Sequence, residues 1–174
     1  IISNRFILKN PNQIQKEVRS DKAGPNDAVE IIYKKKKDVE GLLREIFSAI
    51  NISGIHKTDH PSVFLLGRYK HNKPDSFSKY QSEFKNLSIE FLTIHASKGA
   101  EADYVIILDV LSGKYGFPSE VADDPLLEIV LSKSDSYPHA EERRLMYVAM
   151  TRARHKAFII TEDGIQSVFV LELE

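Results

Sequence analysis

Two stretches of this sequence carry side chains suited to phosphate chemistry. Residues 93–103, TIHASKGAEAD, lie between two apolar runs. Thr93, His95, Ser97 and Lys98 offer donors to phosphate oxygens, Glu101 offers an acceptor to a sugar hydroxyl, and Gly99 lets a ligand approach the backbone closely. The same residues also suit an ordinary connection, with His95 satisfied inside the loop and Glu101 capping the next segment. The second stretch is residues 138–154, read as a helix. Pro138 in its first turn, followed by Glu141 and Glu142, suits the positive end of a helix dipole. Its apolar face runs Leu145, Val148, Ala149, and the same spacing then lands on Arg152, a charge where the pattern requires a core residue. Such an arginine either reaches water or an acid at a fraying end, or is a guanidinium held at the end of an element to meet a phosphate.

The elements that must position these groups alternate along the chain. Residues 28–33 (AVEIIY), between a Gly-Pro-Asn turn and a lysine run, read as a strand. Residues 39–50 place Val39, Leu42, Leu43, Ile46, Phe47 and Ile50 on one helix face. Residues 51–61 read as a loop, 62–66 as a strand, 77–84 as a helix, 89–94 as a strand and 104–110 as a strand apolar on both faces. Strands without alternation belong inside a parallel sheet. A turn at 113–118, a short helix near 125–131, the 138–154 helix and a last strand at 156–161 complete a three-layer α/β domain with a mainly parallel sheet. In such a domain functional residues sit on loops at strand ends.

Composition sets the class. The chain has 174 residues, net charge −1, 42% hydrophobic and 28% charged residues, and neither Cys nor Trp. A chain this long buries roughly 70% of its unfolded surface, so one domain with a proper core is expected. Without Cys there are no disulfides, thiolate nucleophiles or Cys-ligated zinc. No run approaches the ~20 apolar residues of a membrane span, so no membrane partner is expected. Near-neutral charge excludes wholesale coating of nucleic acid while leaving room for a local basic groove. The chain begins without Met, and Ile2, Phe6 and Ile7 read as the last turns of an amphipathic helix ending near Asn10 and Pro11.

Taken together, the chemical stretches resemble a known family. TIHASKGAEADYVII resembles motif V of the UvrD-like superfamily 1 helicases, and EERRLMYVAMTRARH, residues 141–155, resembles their motif VI. VFLLGRYKHNKP, residues 63–74, resembles motif IV and brings in Arg68, although the positions after the arginine depart from the usual Asn and Ser. The resemblance implies the C-terminal RecA-like motor domain of an ATP-dependent, 3′–5′ DNA helicase over residues 28–174, preceded by a helical lead-in at 1–27. It implies single-stranded DNA and an N-terminal RecA-like domain of the same parent chain as partners, in the cytoplasm. ATP and Mg²⁺ are the implied cofactors, with the P-loop and Mg²⁺ ligands in the missing domain, because no G-x-x-x-x-G-K-[ST] occurs here. The fragment alone is expected to be inactive.

By position, Arg152 matches the motif VI arginine finger, and Arg68 the motif IV arginine that also reaches the γ-phosphate. Gly99 and Glu101 match nucleotide-binding positions, Thr93 and His95 face the DNA backbone with Ser97 and Lys98 beside them, and Arg143, Tyr147 and Thr151 take packing and coupling positions. Arg68, Glu101 and Arg152 are expected to converge on one edge of the sheet. Relatives that insert an accessory domain between motifs IV and V do so where this chain has only 24 residues between Arg68 and Thr93, so none fits. The rival reading is a helicase-derived, non-catalytic protein-binding module, for example one acting on RNA polymerase.

Three remaining features have simpler explanations. The lysine run 34–37 reads as a solvated turn. His56, Asp59 and His60 have a spacing metals use, but without a third convincing ligand or any Cys they read as loop, and no metal site is expected. Tyr69 and Tyr115 could stack on bases without lying in a motif that demands it.

Overall fold

A computed structural model describes residues 2–13, 28–34, 38–53, 60–120 and 137–174. The run ADYVII, apolar on both faces, forms the central strand β4 (Ala102–Ile107) and is buried along its length. Around it stand β1 (Val29–Lys34), β2 (Ser62–Gly67), β3 (Ser88–Thr93) and β5 (Ala153–Glu162). All pairs are parallel, in the order β1-β5-β4-β2-β3. The helices are α1 (Ile2–Ile7), α2 (Val39–Ser53), α3 (Phe77–Glu83), α4 (Ala140–Met150) and α5 (Val168–Leu173), with a 3₁₀ turn at Lys70–Asn72.

Strand alternation sends successive side chains to opposite faces, and two cores result. Leu66, Ile107 and Ile159 join Phe6 of α1, Met146 and Ala149 of α4 and Phe169 of α5 on one face. Leu65, Ile106 and Ile160 join Leu43, Phe47 and Ile50 of α2 with Phe77 and Tyr80 of α3 on the other. Three layers follow, with the sheet between them.

The structure corrects the sequence reading in several places. The helix expected at 138–154 is only Ala140–Met150, because His139 adopts a left-handed conformation (φ 54°) before it and Thr151 ends it. Thr151 Oγ1 turns back to donate to the Tyr147 and Val148 carbonyls at 2.9 and 3.0 Å. Ala153 must then extend to pair with Ala102, so Arg154 and His155 belong to β5. The buried face of α4 is Leu145, Met146, Ala149 and Met150, whereas Val148 is half-buried. Arg152 therefore stands in a turn after the helix and not on its apolar stripe. The helix expected near 125–131 lies outside the described residues, as do His56 and Asp59. Of the lysine run read as a solvated turn, residues 35–37 lie outside the described residues, and Lys34 is mostly buried, with its Nζ 2.7 Å from Asp109 Oδ1. Residues 69–92 contain only the 3₁₀ turn, α3 and β3.

Candidate functional site

A parallel sheet has two chemically different ends, and the expected site residues divide between them. At the N-terminal end, where β4 and β5 begin, Arg152 sits in the tight turn between α4 and β5. Its Nε donates to the Val148 carbonyl at 3.1 Å, Nη1 to the Ala100 carbonyl at 3.1 Å and Nη2 to Thr151 Oγ1 at 3.4 Å. Its own carbonyl accepts from Ala102 N–H at 3.0 Å. A guanidinium has five N–H donors, so these three bonds fix its plane and leave two donors uncommitted among the described residues. It has no carboxylate partner among them.

Glu101 is exposed on the same edge, and Arg154 Nε lies 3.3 Å from its Oε2. Both side chains are more than half exposed, so this pair holds weakly and exchanges readily for another partner. Asp103 stands beside it, accepting from the Ser62 N–H and hydroxyl at 2.8 Å each. Burial pushes its carboxyl up, but the two Ser62 bonds, with Arg154 and His155 nearby, hold it below the usual aspartate value. Asp103 thus joins β2 to β4 and stays ionised beside the arginine-bearing turn. Gly99, at φ 87° and exposed, has nothing within 4 Å of where a Cβ would stand. A side chain there is opposed by backbone strain and not by crowding.

Thr93 closes β3 at the opposite, C-terminal end, level with Gly67. Ile94 N–H donates to the Gly67 carbonyl at 3.0 Å, and Thr93 Oγ1 accepts from Ala96 N–H at 3.3 Å. The side chains of His95 and Lys98 are exposed and make no hydrogen bond or ion pair among the described residues, although Lys98 N–H donates to the His95 carbonyl at 3.4 Å. Ser97 is different: it is fully buried, and its hydroxyl donates to the Ile94 carbonyl at 2.8 Å. It shapes the loop from inside and is not available to a ligand, contrary to the DNA-contact expectation.

Arg68 also stands at the C-terminal end, so the expected convergence with Glu101 and Arg152 does not occur. Its Nε and Nη2 grip Glu142 in the first turn of α4 at 2.7 to 3.0 Å. Glu142 also accepts from Ser119 N–H at 3.0 Å. From Glu142 to Arg152 is nearly the full length of α4, about 15 Å at 1.5 Å per residue. The sequence reading missed this pair because its members are 74 residues apart. Replacing Arg68 by Ala leaves Glu142 mostly buried without its cation, and is expected to lower stability by about 1–3 kcal/mol. Urea unfolding tests this, and an unchanged midpoint contradicts it.

Arg143, Tyr147 and Thr151 face α1 or the helix end. Arg143 binds Glu172 and the Phe6 carbonyl, Tyr147 OH reaches Asn4 Oδ1 at 3.5 Å, and Thr151 closes α4. Among the described residues no three acidic or imidazole side chains gather as a cation site, and no helix is long and apolar enough to cross a membrane.

Comparison with known proteins finds relatives of this chain. The model of the UvrD-like helicase C-terminal domain matches residues 75–164. DNA helicase IV of Escherichia coli (strain K12) is 39% identical over 169 residues, 97% of this chain and 23% of that protein. The ATP-dependent DNA helicase PcrA of Leuconostoc citreum is 33% identical over 72 residues, 41% of this chain and 8% of that protein. The chain therefore spans less than a quarter of the length of these relatives. A solved C-terminal domain of a possible DNA helicase from Lactobacillus plantarum aligns over 99% of this chain and 91% of its own, with 12% identity and a TM-score of 0.48. With the family model covering half of the chain and spanning both the Thr93 loop and the Arg152 turn, this α/β domain belongs to the UvrD-like helicase C-terminal domain family.

Proposed function

We propose that this chain is the C-terminal RecA-like motor domain of an ATP-dependent 3′–5′ DNA helicase, completing an ATP site shared with an N-terminal RecA-like domain of the same parent chain. The observation that carries the reading is Arg152: a half-buried guanidinium, anchored by two backbone carbonyls and, among the described residues, paired with no acid and retaining two donors. A structural arginine is normally spent on a carboxylate, as Arg143 and Arg68 are here. Arg152 instead suits an anion supplied from outside, and its fixed plane suits charge developing on a transferring phosphoryl group.

Glu101 exchanges Arg154 for a hydroxyl of the nucleotide sugar, and Gly99 lets the ligand approach the adjacent backbone. Thr93, His95 and Lys98 meet the DNA backbone. The Mg²⁺ ligands and phosphate cradle are supplied by the other domain, so the isolated chain is inactive. Arg68 departs from the resemblance: its place on the far edge makes it a brace for α4 through Glu142.

Strand displacement by the complete parent polypeptide tests the reading. ATP-dependent release from a 3′-tailed duplex is expected and release from a 5′-tailed one is not; failure on both overturns it. Within it, Glu101→Ala removes one charge-assisted hydrogen bond, so KM for ATP is expected to rise roughly 10- to 100-fold. An unchanged KM removes Glu101 from the nucleotide site.

A further inference from the structure

When Glu101 turns to a nucleotide sugar, Arg154 is the cation left behind. Its place follows from an irregularity in the sheet. Ala102 pairs with Ala153 but Tyr104 pairs with Lys156, so two steps along β4 match three along β5. The extra residue is a bulge, and Arg154 and His155 both stand opposite Asp103. Bulges are rare in parallel pairing and recur beside active sites, where they re-aim a side chain. The core does not require this one, since Arg154 is exposed and His155 only half-buried.

Arg154 is lightly held. It makes one hydrogen bond among the described residues, from Nε to Glu101 Oε2 at 3.3 Å. Its Nη1 stands 3.9 Å from Asp103 Oδ1, near enough for attraction and too far for a hydrogen bond. Asp103 cannot swing out to close that gap, because its Oδ2 accepts from the Ser62 N–H and hydroxyl while its own N–H donates to Ser62 Oγ at 2.9 Å. Four of the five guanidinium donors are therefore without a hydrogen bond among the described residues. Arg68 and Arg143 contrast with it, each closing a fork on a carboxylate at 2.6 to 3.0 Å. Arg152 and Arg154 also meet consecutive residues of one loop, the Ala100 carbonyl and the Glu101 side chain.

A sugar hydroxyl that takes Glu101 brings its phosphates to the same edge. The displaced guanidinium then faces the densest negative charge there, and phosphate oxygens match its planar fork better than one long bond to a solvated carboxylate does. We propose that Arg154 is a second phosphate-binding arginine of the nucleotide site, held on Glu101 while the site is empty and passed to the phosphate chain when the sugar claims that carboxylate. The proposal rests on the helicase reading and gives a role to the group which that reading displaces. It also explains how a carboxylate stands beside a polyanion: Arg154 neutralises it before binding and offsets its repulsion of the phosphates afterwards. Arg152, fixed by two carbonyls, suits charge that develops during transfer. Arg154, free to move, suits charge already present on the bound nucleotide.

Steady-state kinetics of DNA-stimulated ATP hydrolysis by the complete helicase chain tests this, with Arg154→Ala made alone and together with Glu101→Ala. The side chain is more than half exposed, so the fold is expected to survive. Alone, Arg154→Ala is expected to raise KM for ATP by about 5- to 50-fold with a much smaller fall in kcat, the lost charge-assisted bonds being offset in part by the pair that no longer has to break. Added to Glu101→Ala, it is expected to raise KM again by at least a similar factor. A lower or unchanged KM in the single variant overturns the proposal, because a guanidinium that only competes with the sugar for Glu101 improves affinity when removed. A rise that disappears in the Glu101→Ala background also overturns it, since Arg154 then acts only through that carboxylate. If the unsubstituted chain hydrolyses no ATP, with or without DNA, the helicase reading falls and the proposal with it.

Discussion

Arg152→Ala in the complete parent chain is expected to lower DNA-stimulated ATP turnover by about 10³- to 10⁵-fold, the usual range for an arginine finger. The loss belongs in kcat, because the guanidinium meets charge that develops during transfer more than charge already present on bound ATP. The fold is expected to survive. Arg152 caps carbonyls at a turn, and the side chains that end α4 and start β5, Thr151 and Ala153, remain. Arg152→Lys is expected to rescue little, since an ammonium cannot hold the Val148 and Ala100 carbonyls while presenting two donors in one plane. Steady-state turnover at saturating ATP and DNA is the measurement, with circular dichroism confirming the fold. Near-normal turnover removes Arg152 from the reaction.

The second large effect is on stability. Arg143 is 2% exposed, forms two bonds to Glu172 at 2.6 and 2.8 Å, and donates to the Phe6 carbonyl at 3.2 Å. Its guanidinium carbon lies 4.6 Å from the Phe6 ring centroid and 5.2 Å from those of Tyr137 and Phe169. One side chain thereby ties α1 and α5 to α4. Glu172→Ala strands that buried cation and is expected to cost about 3–5 kcal/mol in urea unfolding. The pair Arg143→Met, Glu172→Leu, apolar at both positions, is expected to lose much less. A loss below about 1 kcal/mol for Glu172→Ala means that the ring contacts and the Phe6 carbonyl satisfy Arg143 without its carboxylate.

Acid sharpens this test. The Arg143 bonds hold the Glu172 carboxyl below its ordinary 4.5 against the opposing effect of burial. The folded chain therefore keeps this carboxylate ionised to lower pH than the unfolded chain does. The stabilisation is complete above that ordinary value and is lost as pH falls from there through the lower folded-state value. Substituting Arg143 by Met flattens this part of the acid limb. The share owed to Asp103, whose pKa is lowered independently by Ser62, remains.

The fold was legible because its signals are local. The apolar runs that became β2, β4 and β5 and the 3.6-residue pattern of α2 lie within about three residues of their final bounds, β2 within one. Arg152 was legible as a break in a pattern, although for a reason that shifted. Periodicity put it on the apolar face of a long helix, whereas α4 ends two residues before it. What stayed hidden depends on pairs distant in sequence. Nothing near Arg68 reveals Glu142, and nothing near Arg143 reveals Glu172. Ser97 reads as a polar loop residue until the Ile94 carbonyl beneath it is seen. Tyr69 and Tyr115 read only as separate aromatic residues, because their rings, edge-on at 6.2 Å, meet through the fold.

The connection between β3 and β4 has a mechanical consequence. It passes over β2 and runs from the C-terminal end of the sheet to the N-terminal end in residues 94–101 alone. Two strand spacings sideways and one strand length make a path of about 22 Å. The nine steps from Thr93 to Ala102, fully extended, reach only about 30 Å. Turns at Ser97, Lys98 and Ala100 take up much of the difference. The crossing is a short tether with little slack, and a displacement of its Thr93 end reaches Glu101 without being absorbed on the way. Lengthening it by two or three residues would leave both ends chemically intact and disconnect them.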